Sequence, residues 1–194
     1  EMIPYGIDAK AFQRAESVSI GLKKPIVLCP AALVPYKRID RAIEAVVLLK
    51  EASLLVVGRG SLESKLKRMG HENLGSRFAL IGVAHDKMAS LYQAADVVTL
   101  PSEAQENSPM VFLESMSAGK LVVTTDSQRN RWILGDAGIY CNPDDRAQYA
   151  QSLRKSLRLG GQTETKRRIQ RVAKRFAIRS VARQYEELFH SFAR

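Results

Sequence analysis

Long apolar runs are missing from this 194-residue chain: stretches such as Ala45 to Leu49 are about a quarter of what a membrane-spanning helix needs. The opening residues do not read as a secretory signal. Cysteine is scarce. Two residues, Cys29 and Cys141, cannot make a disulfide framework or a four-ligand zinc site. Both lie in apolar segments, where reduced, buried thiols of a cytosolic protein are expected. Aromatic residues are only 7% of the chain. No internal repeat, low-complexity tract or Pro/Gly-rich linker divides it, and its length suits one domain with a small appendage. The chain begins at Glu1 and is expected to be a piece of something longer.

What is present in excess is positive charge, and it is concentrated. Of the net +10, eight cations lie between Lys166 and Tyr185 with no acid among them, leaving +2 for the rest. Ile169, Val172, Ala173 and Phe176 keep helical spacing there, with Arg167, Arg171, Lys174 and Arg175 opposite them. Val181, Tyr185, Leu188, Phe189 and Phe192 repeat the spacing in a second helix. The simpler expectation is two amphipathic helices packed on a core with solvated outer faces. The sharper one is a basic face for anionic lipid or an acidic partner. Phe176 is the one aromatic among these cations, which disfavours base stacking and a nucleic-acid partner.

Short apolar runs alternate with helical patterns along the rest. Ile26 to Leu28, Leu54 to Val57, Phe78 to Ile81, Val97 to Leu100, Leu121 to Thr124 and, more weakly, Gly138 to Cys141 read as strands covered on both faces. Ile39, Ala42, Ile43, Val46 and Val47 keep helical spacing, as do Leu62, Leu66 and Met69. Met88, Leu91, Tyr92 and Ala95 mark another helix, with Asp86 expected as its N-cap. This alternation predicts an α/β fold, a Rossmann-like doubly wound parallel sheet of about six strands with helices on both faces. A Rossmann-like domain is expected over 1–160, with amphipathic helices of 161–194 packed on it.

Ligands in such folds bind at the carboxyl ends of strands. After the fourth strand come Pro101-Ser102 and then Glu106-Asn107-Ser108-Pro109-Met110. Proline suits a first helical position and holds Ser108 in N-cap backbone. The free amides near Met110 and the positive end of the helix dipole then make an anion site. Glu106 in the loop and Glu114 within the helix bracket it, and carboxylates accept hydrogen bonds from vicinal sugar hydroxyls. Alone, each glutamate reads as a dipole partner or a solvated helix residue. Asp144 and Asp145 lack the gap of a metal-binding acidic motif and are expected to cap the helix after Pro143. His71, His85 and His190 are far apart. His85 reads as a helix-start surface residue, although it follows the third strand, where a nucleobase often packs.

The spacing of Glu106 and Glu114, followed by Ser115 to Val123, resembles the donor-site signature of retaining nucleotide-sugar glycosyltransferases of the GT-B fold. The resemblance is greatest to the family of bacterial lipopolysaccharide and exopolysaccharide mannosyl- and glucosyltransferases, and it covers nearly the full chain. Ile3-Pro4-Tyr5-Gly6-Ile7-Asp8 is similar to the opening of that family's C-terminal domain. Val34 to Asp40 resembles its first phosphate-contact loop, Val57-Gly58-Arg59-Gly60 its second glycine turn, and Leu91 to Asp96 the approach to the Pro-Ser pair. Each piece is weak and their joint order is strong.

The resemblance implies that the chain is the C-terminal half of a GT-B enzyme and binds a UDP-sugar or GDP-sugar. Glu106 would contact hydroxyls of the transferred hexose, the backbone of Asn107, Ser108, Pro109 and Met110 the diphosphate, and Glu114 the ribose. Lys37, with Arg38, would reach the diphosphate from the other side, where a cation stabilises charge growing on the leaving group. Glu106, Lys37 and Arg38 are thus the expected catalytic residues, and no metal or other cofactor is called for. The acceptor, a glycan or lipid-linked, would bind a missing N-terminal domain, so this polypeptide would transfer nothing unaided. Its final helix would cross back to that domain, leaving an apolar face exposed here. A cytoplasmic location follows, peripheral at the inner membrane face if the basic tail meets lipid.

Three departures stand out. Asn107-Ser108-Pro109 replaces the family's common Gly-Phe-Gly. An arginine common near Ala31-Ala32 is absent, and Arg38 would supply its charge. Trp132 stands where a glutamate is common and is expected to pack. Two other functions fit the same features: a basic module for anionic membrane or nucleic acid, and a nucleotide-sugar epimerase of the same architecture.

Overall fold

The computed structural model describes residues 4–103, 110–159 and 162–192. Six strands form one sheet: β1 (Ile26–Pro30), β2 (Ser53–Val57), β3 (Phe78–Ile81), β4 (Val97–Leu100), β5 (Val122–Thr125) and β6 (Gly138–Cys141). Their order is β3-β2-β1-β4-β5-β6, and every pairing is parallel. The doubly wound fold expected from the alternating pattern is the fold observed.

Nine α-helices surround the sheet among the described residues: α1 (Ala9–Arg14), α2 (Ile39–Val47), α3 (Glu63–Leu74), α4 (Met88–Ala94), α5 (Met110–Ser117), α6 (Gln128–Leu134), α7 (Arg146–Arg158), α8 (Gln162–Arg175) and α9 (Ile178–Phe192). The continuous apolar strand runs divide by the two-residue period between the two faces. Ile26, Leu28, Val98 and Leu100 join α1, α4, α5, α6 and α8 in one cluster. Val27, Cys29, Leu54, Val56 and Val97 join α2, α3 and α7 in the other. Both cysteines are buried free thiols, as expected.

Local chemistry explains the element ends. Asp8 caps α1 through Lys10 N at 3.1 Å, and Ser127 caps α6 through Asn130 N at 3.1 Å. Neither helix stands out in the sequence pattern: α1 has only six residues, and the apolar residues of α6 form one run, Trp132-Ile133-Leu134, rather than a helical spacing. Asp145 caps α7, accepting from Gln148 N at 2.9 Å. Asp144 caps nothing and pairs with Arg38. Asp86 is not an N-cap either. The chain enters α4 through a 3-10 turn, His85–Lys87, so the boundary falls at Lys87, which makes no side-chain cap.

The C-terminal helices behave differently from each other. α8, with the residue that follows it, inserts Val172 and Phe176 into the core. Its cations are not all solvated, in contrast to the sequence expectation. Arg168 is buried and donates to Gly119 O at 2.8 Å. Arg171 Nε donates to Ile133 O at 3.1 Å, and Arg175 Nη1 to Trp132 O at 3.1 Å. These carbonyls end α6 and have no partner within that helix, so the arginines satisfy them. Trp132 packs as expected, edge-on to Phe176 and beneath the Arg175 guanidinium. On α9 only Val181 is buried, while Tyr185, Phe189 and Phe192 are exposed, the last by 79%. Ile7 bridges Ala177 in parallel, with Ile7 N donating to Phe176 O at 2.9 Å. No helix among the described residues is long and apolar enough to cross a membrane.

Candidate active site

β1 and β4 are neighbours whose outer partners, β2 and β5, lie on opposite sides. At such a point the following loops part and leave a crevice at the strands' carboxyl ends. The loop after β1 forms a 3-10 turn, Pro35–Lys37, and Arg38 then adopts left-handed backbone at φ 52° and ψ 39°. That conformation costs a non-glycine residue about 1 kcal/mol and here reverses the chain into α2. Glu103 N–H, following β4, donates to Tyr36 O at 2.9 Å and ties the two loops together.

The loops after β1 and β2 are also laced: Leu33 N donates to Arg59 O and Leu62 N to Leu33 O, each at 2.9 Å. Gly58 makes this approach possible, since a Cβ there would lie 1.9 Å from Ala31 O. The glycine turn singled out in the sequence is a packing requirement of the crevice wall.

Lys37 is 8% exposed, with its ammonium 5.0 Å from the centre of the Tyr36 ring. Burial holds its pKa below the ordinary lysine value, and the nearby Cys29 acts in the opposite sense. Burial pushes the Cys29 thiol up to about 12, opposed by Lys37. Cys29 therefore stays a neutral thiol beneath the turn. Arg38 faces two carboxylates: its Nη2 pairs with Asp144, and its Nη1 lies 3.9 Å from Glu103. Arg41 Nε shares Asp144 at 3.2 Å.

Glu114 is no solvated helix residue. It sits one turn into α5, 6% exposed, and its Oε2 accepts from the Tyr92 hydroxyl at 2.7 Å. Burial, then the Glu114 charge and hydrogen bond, raise the Tyr92 pKa well above its ordinary value. The phenol therefore keeps its proton and its role as donor. His85 Nε2 lies 3.9 Å from Glu114 Oε1, on a side chain 79% exposed to solvent. One carboxylate oxygen is thus fixed from within and the other faces an exposed imidazole. Tyr92 was not among the sequence candidates. Its spacing with Met88, Leu91 and Ala95 marks only a buried face, and its partner lies 22 residues away.

Met110 begins α5 with its side chain partly exposed. Glu106, Asn107, Ser108 and Pro109 lie outside the described residues. Lys37 and Arg38 stand at the carboxyl end of β1, and Glu114 on the helix that follows β4. Among the described residues no three His, Cys, Asp or Glu side chains gather as a metal site.

A family model described as glycosyl transferases group 1 matches residues 24–158, from the start of β1 to the end of α7. The chain belongs to this family. A Corynebacterium glutamicum relative, named GDP-mannose-dependent monoacylated alpha-(1-6)-phosphatidylinositol monomannoside mannosyltransferase, is 30% identical over 146 residues, 66% of this chain and 38% of that protein. A Mycolicibacterium smegmatis phosphatidyl-myo-inositol mannosyltransferase is 33% identical over 98 residues, 49% of this chain and 25% of that protein. This group 1 chain therefore matches well under half the length of these curated relatives. Among solved structures, the sucrose-phosphate synthase of Thermosynechococcus elongatus is similar at a TM-score of 0.84 and 23% identity, over 99% of this chain and 52% of that one. Anabaena HepE, solved with UDP, is similar at 0.79 and 20% identity, over 96% of this chain and 56% of that one. These likenesses are of fold, and the fold is that of the C-terminal Rossmann-like domain of the GT-B glycosyltransferases.

Proposed function

We propose that this domain binds the nucleoside-diphosphate part of a sugar donor in the β1/β4 crevice, for hexosyl transfer with retention of anomeric configuration. The observation that carries the reading is Glu114, a buried carboxylate held on one oxygen by Tyr92 with its other oxygen beside exposed His85. Such a group accepts hydrogen bonds from the vicinal hydroxyls of a ribose. Glu106 takes the corresponding role at the transferred sugar, and the amides of Asn107, Ser108 and Met110, with Pro109 stiffening the turn, hold the diphosphate. Lys37 and Arg38 stabilise the charge that grows on the leaving diphosphate, which is a transition-state interaction more than a ground-state one. With these cations and amides in place, the reaction is proposed to need no divalent metal.

The two mannosyltransferase relatives, one named for GDP-mannose, make GDP the first nucleotide to test. HepE with UDP makes uridine the second. The acceptor, a glycan or a lipid-linked molecule, is proposed to bind a partner domain outside this chain. The exposed apolar face of α9 suits a docking role toward that domain.

Calorimetric titration with GDP, UDP and ADP, with and without EDTA, tests the reading. Binding of one of them in the micromolar to millimolar range, indifferent to EDTA and weakened in Glu114→Ala and Lys37→Ala, is expected. If no nucleoside diphosphate binds at millimolar concentration, or both folded variants bind like the parent, the donor-site assignment is wrong.

A further inference from the structure

A second charged cavity lies apart from the crevice. Asp136, which lines it, stands in the turn immediately before β6, at the amino end of the parallel strands, whereas Lys37 follows its strand at the carboxyl end. The cavity holds about 530 Å³ between α8, the start of α9 and this turn, within the range of small-molecule sites. Four cations line it, Arg167, Arg171, Lys174 and Arg175, against one acid, Asp136.

Two of these cations are held in place before any ligand arrives. Arg171 uses Nε and Nη2 on the carbonyls of Ile133 and Trp132, at 3.1 and 3.2 Å. Arg175 stacks 4.0 Å above the Trp132 ring and donates to the same Trp132 carbonyl. Gly135 lets Arg171 lie there, since a Cβ would come within 2.8 Å of its guanidinium. Their crowding has an electrostatic cost: partial burial and then Arg171 hold Arg175 below its ordinary pKa. Arg167 and Lys174 are exposed on the same helix, Arg167 with its Nη1 3.3 Å from Glu164 Oε1. Fixed, like-charged guanidinium groups beside exposed cations favour a compact anion of more than one charge, and their planar forks match phosphate oxygens.

We infer that the cavity between α8 and α9 is a binding site for a phosphate ester, carried by a lipid headgroup or by a small soluble molecule. The two sources are separated by two probes. In the first, the protein is sedimented with vesicles of phosphatidylcholine alone or with phosphatidylglycerol. In the second, its melting temperature is followed with glycerol phosphate, using sodium chloride at equal ionic strength as control. Each probe is repeated on R167Q/K174Q, which removes two exposed charges and keeps the arginine–carbonyl bonds, and on K65Q/K67Q, which removes equal charge from α3.

Partition onto phosphatidylglycerol vesicles that drops about ten- to thirty-fold in R167Q/K174Q and little in K65Q/K67Q supports a lipid phosphate. A rise in melting temperature with glycerol phosphate, lost in R167Q/K174Q alone, supports a soluble ester. Equal losses in both double variants show that net charge is at work and overturn the site. Absence of any response to either probe overturns it too.

Discussion

Lys37 is a cation drawn into the protein at the carboxyl end of the sheet, while Arg167, Arg171, Lys174 and Arg175 crowd around an open cavity toward its amino end. The first is desolvated in a turn tied to its surroundings: Glu103 N–H donates to Tyr36 O, and the adjoining wall closes where Gly58 meets Ala31. The second group is half wet, and its order comes from carbonyls at the end of α6. The contrast teaches that net charge is a poor guide to function here. The surplus that dominates the composition lies away from the proposed chemistry, and the cation expected to act there is buried.

The contrast can be broken most severely at Gly58. Gly58→Ala forces a Cβ into a backbone oxygen that cannot retreat without unlacing the crevice wall. We expect a loss of about 3 kcal/mol and a drop in melting temperature of about 8 °C, read by thermal and urea unfolding. An unchanged midpoint would mean that the wall is not rigid.

Next comes Glu114. Glu114→Ala should weaken nucleoside-diphosphate binding roughly 10- to 100-fold, the worth of hydrogen bonds to a charged group. Tyr92→Phe leaves the carboxylate but frees its orientation, so calorimetry should show a smaller loss, about three- to ten-fold. Should Tyr92→Phe match Glu114→Ala, the tyrosine would be more than a positioning residue.

Lys37 gives a pH signature of two opposite signs. Its native pKa lies below the unfolded value, so the unfolded chain binds more protons in that interval, and stability rises with pH through it. Diphosphate affinity needs the ammonium and should fall over the same interval. Titrations between neutral pH and about 10.4, the free lysine value, check both trends. Lys37→Arg should shift the fall in affinity to higher pH, because arginine keeps its charge.

The smallest effect is expected on the stability of R167Q/K174Q. Exposed charges of this kind change unfolding free energy by about 0.5 kcal/mol or less, so thermal unfolding should barely move. That near-silence would sharpen the difference between a cation built into the fold and cations displayed by it.

Much of the fold was legible because buried parallel strands leave uninterrupted apolar runs, and Ile26 to Leu28 or Leu54 to Val57 have few other readings. Six strands and the principal helices followed from that pattern and its alternation. α1 escaped because six residues carry too little periodicity, and α6 because its apolar residues form one run, Trp132-Ile133-Leu134, rather than a helical spacing. At the candidate site, Glu114 drew notice through its place after a strand, and Lys37 only through the family resemblance. The Tyr92–Glu114 bond was not, since it joins two helices through the tertiary fold. Arg171 and Arg175 read as solvent-facing because sequence reports their charge and not the orphan carbonyls at the end of α6 that receive it.

The bridge between Ile7 and Ala177 carries a mechanical consequence. The segment entering the domain and the joint between α8 and α9 share one seam of backbone hydrogen bonds. A displacement of the backbone at Ile7 is therefore passed to the root of α9 through two hydrogen bonds, with no strand between them. The first part of the domain and its last helix are thereby coupled in position, and Ile7 pins their seam to the core beneath.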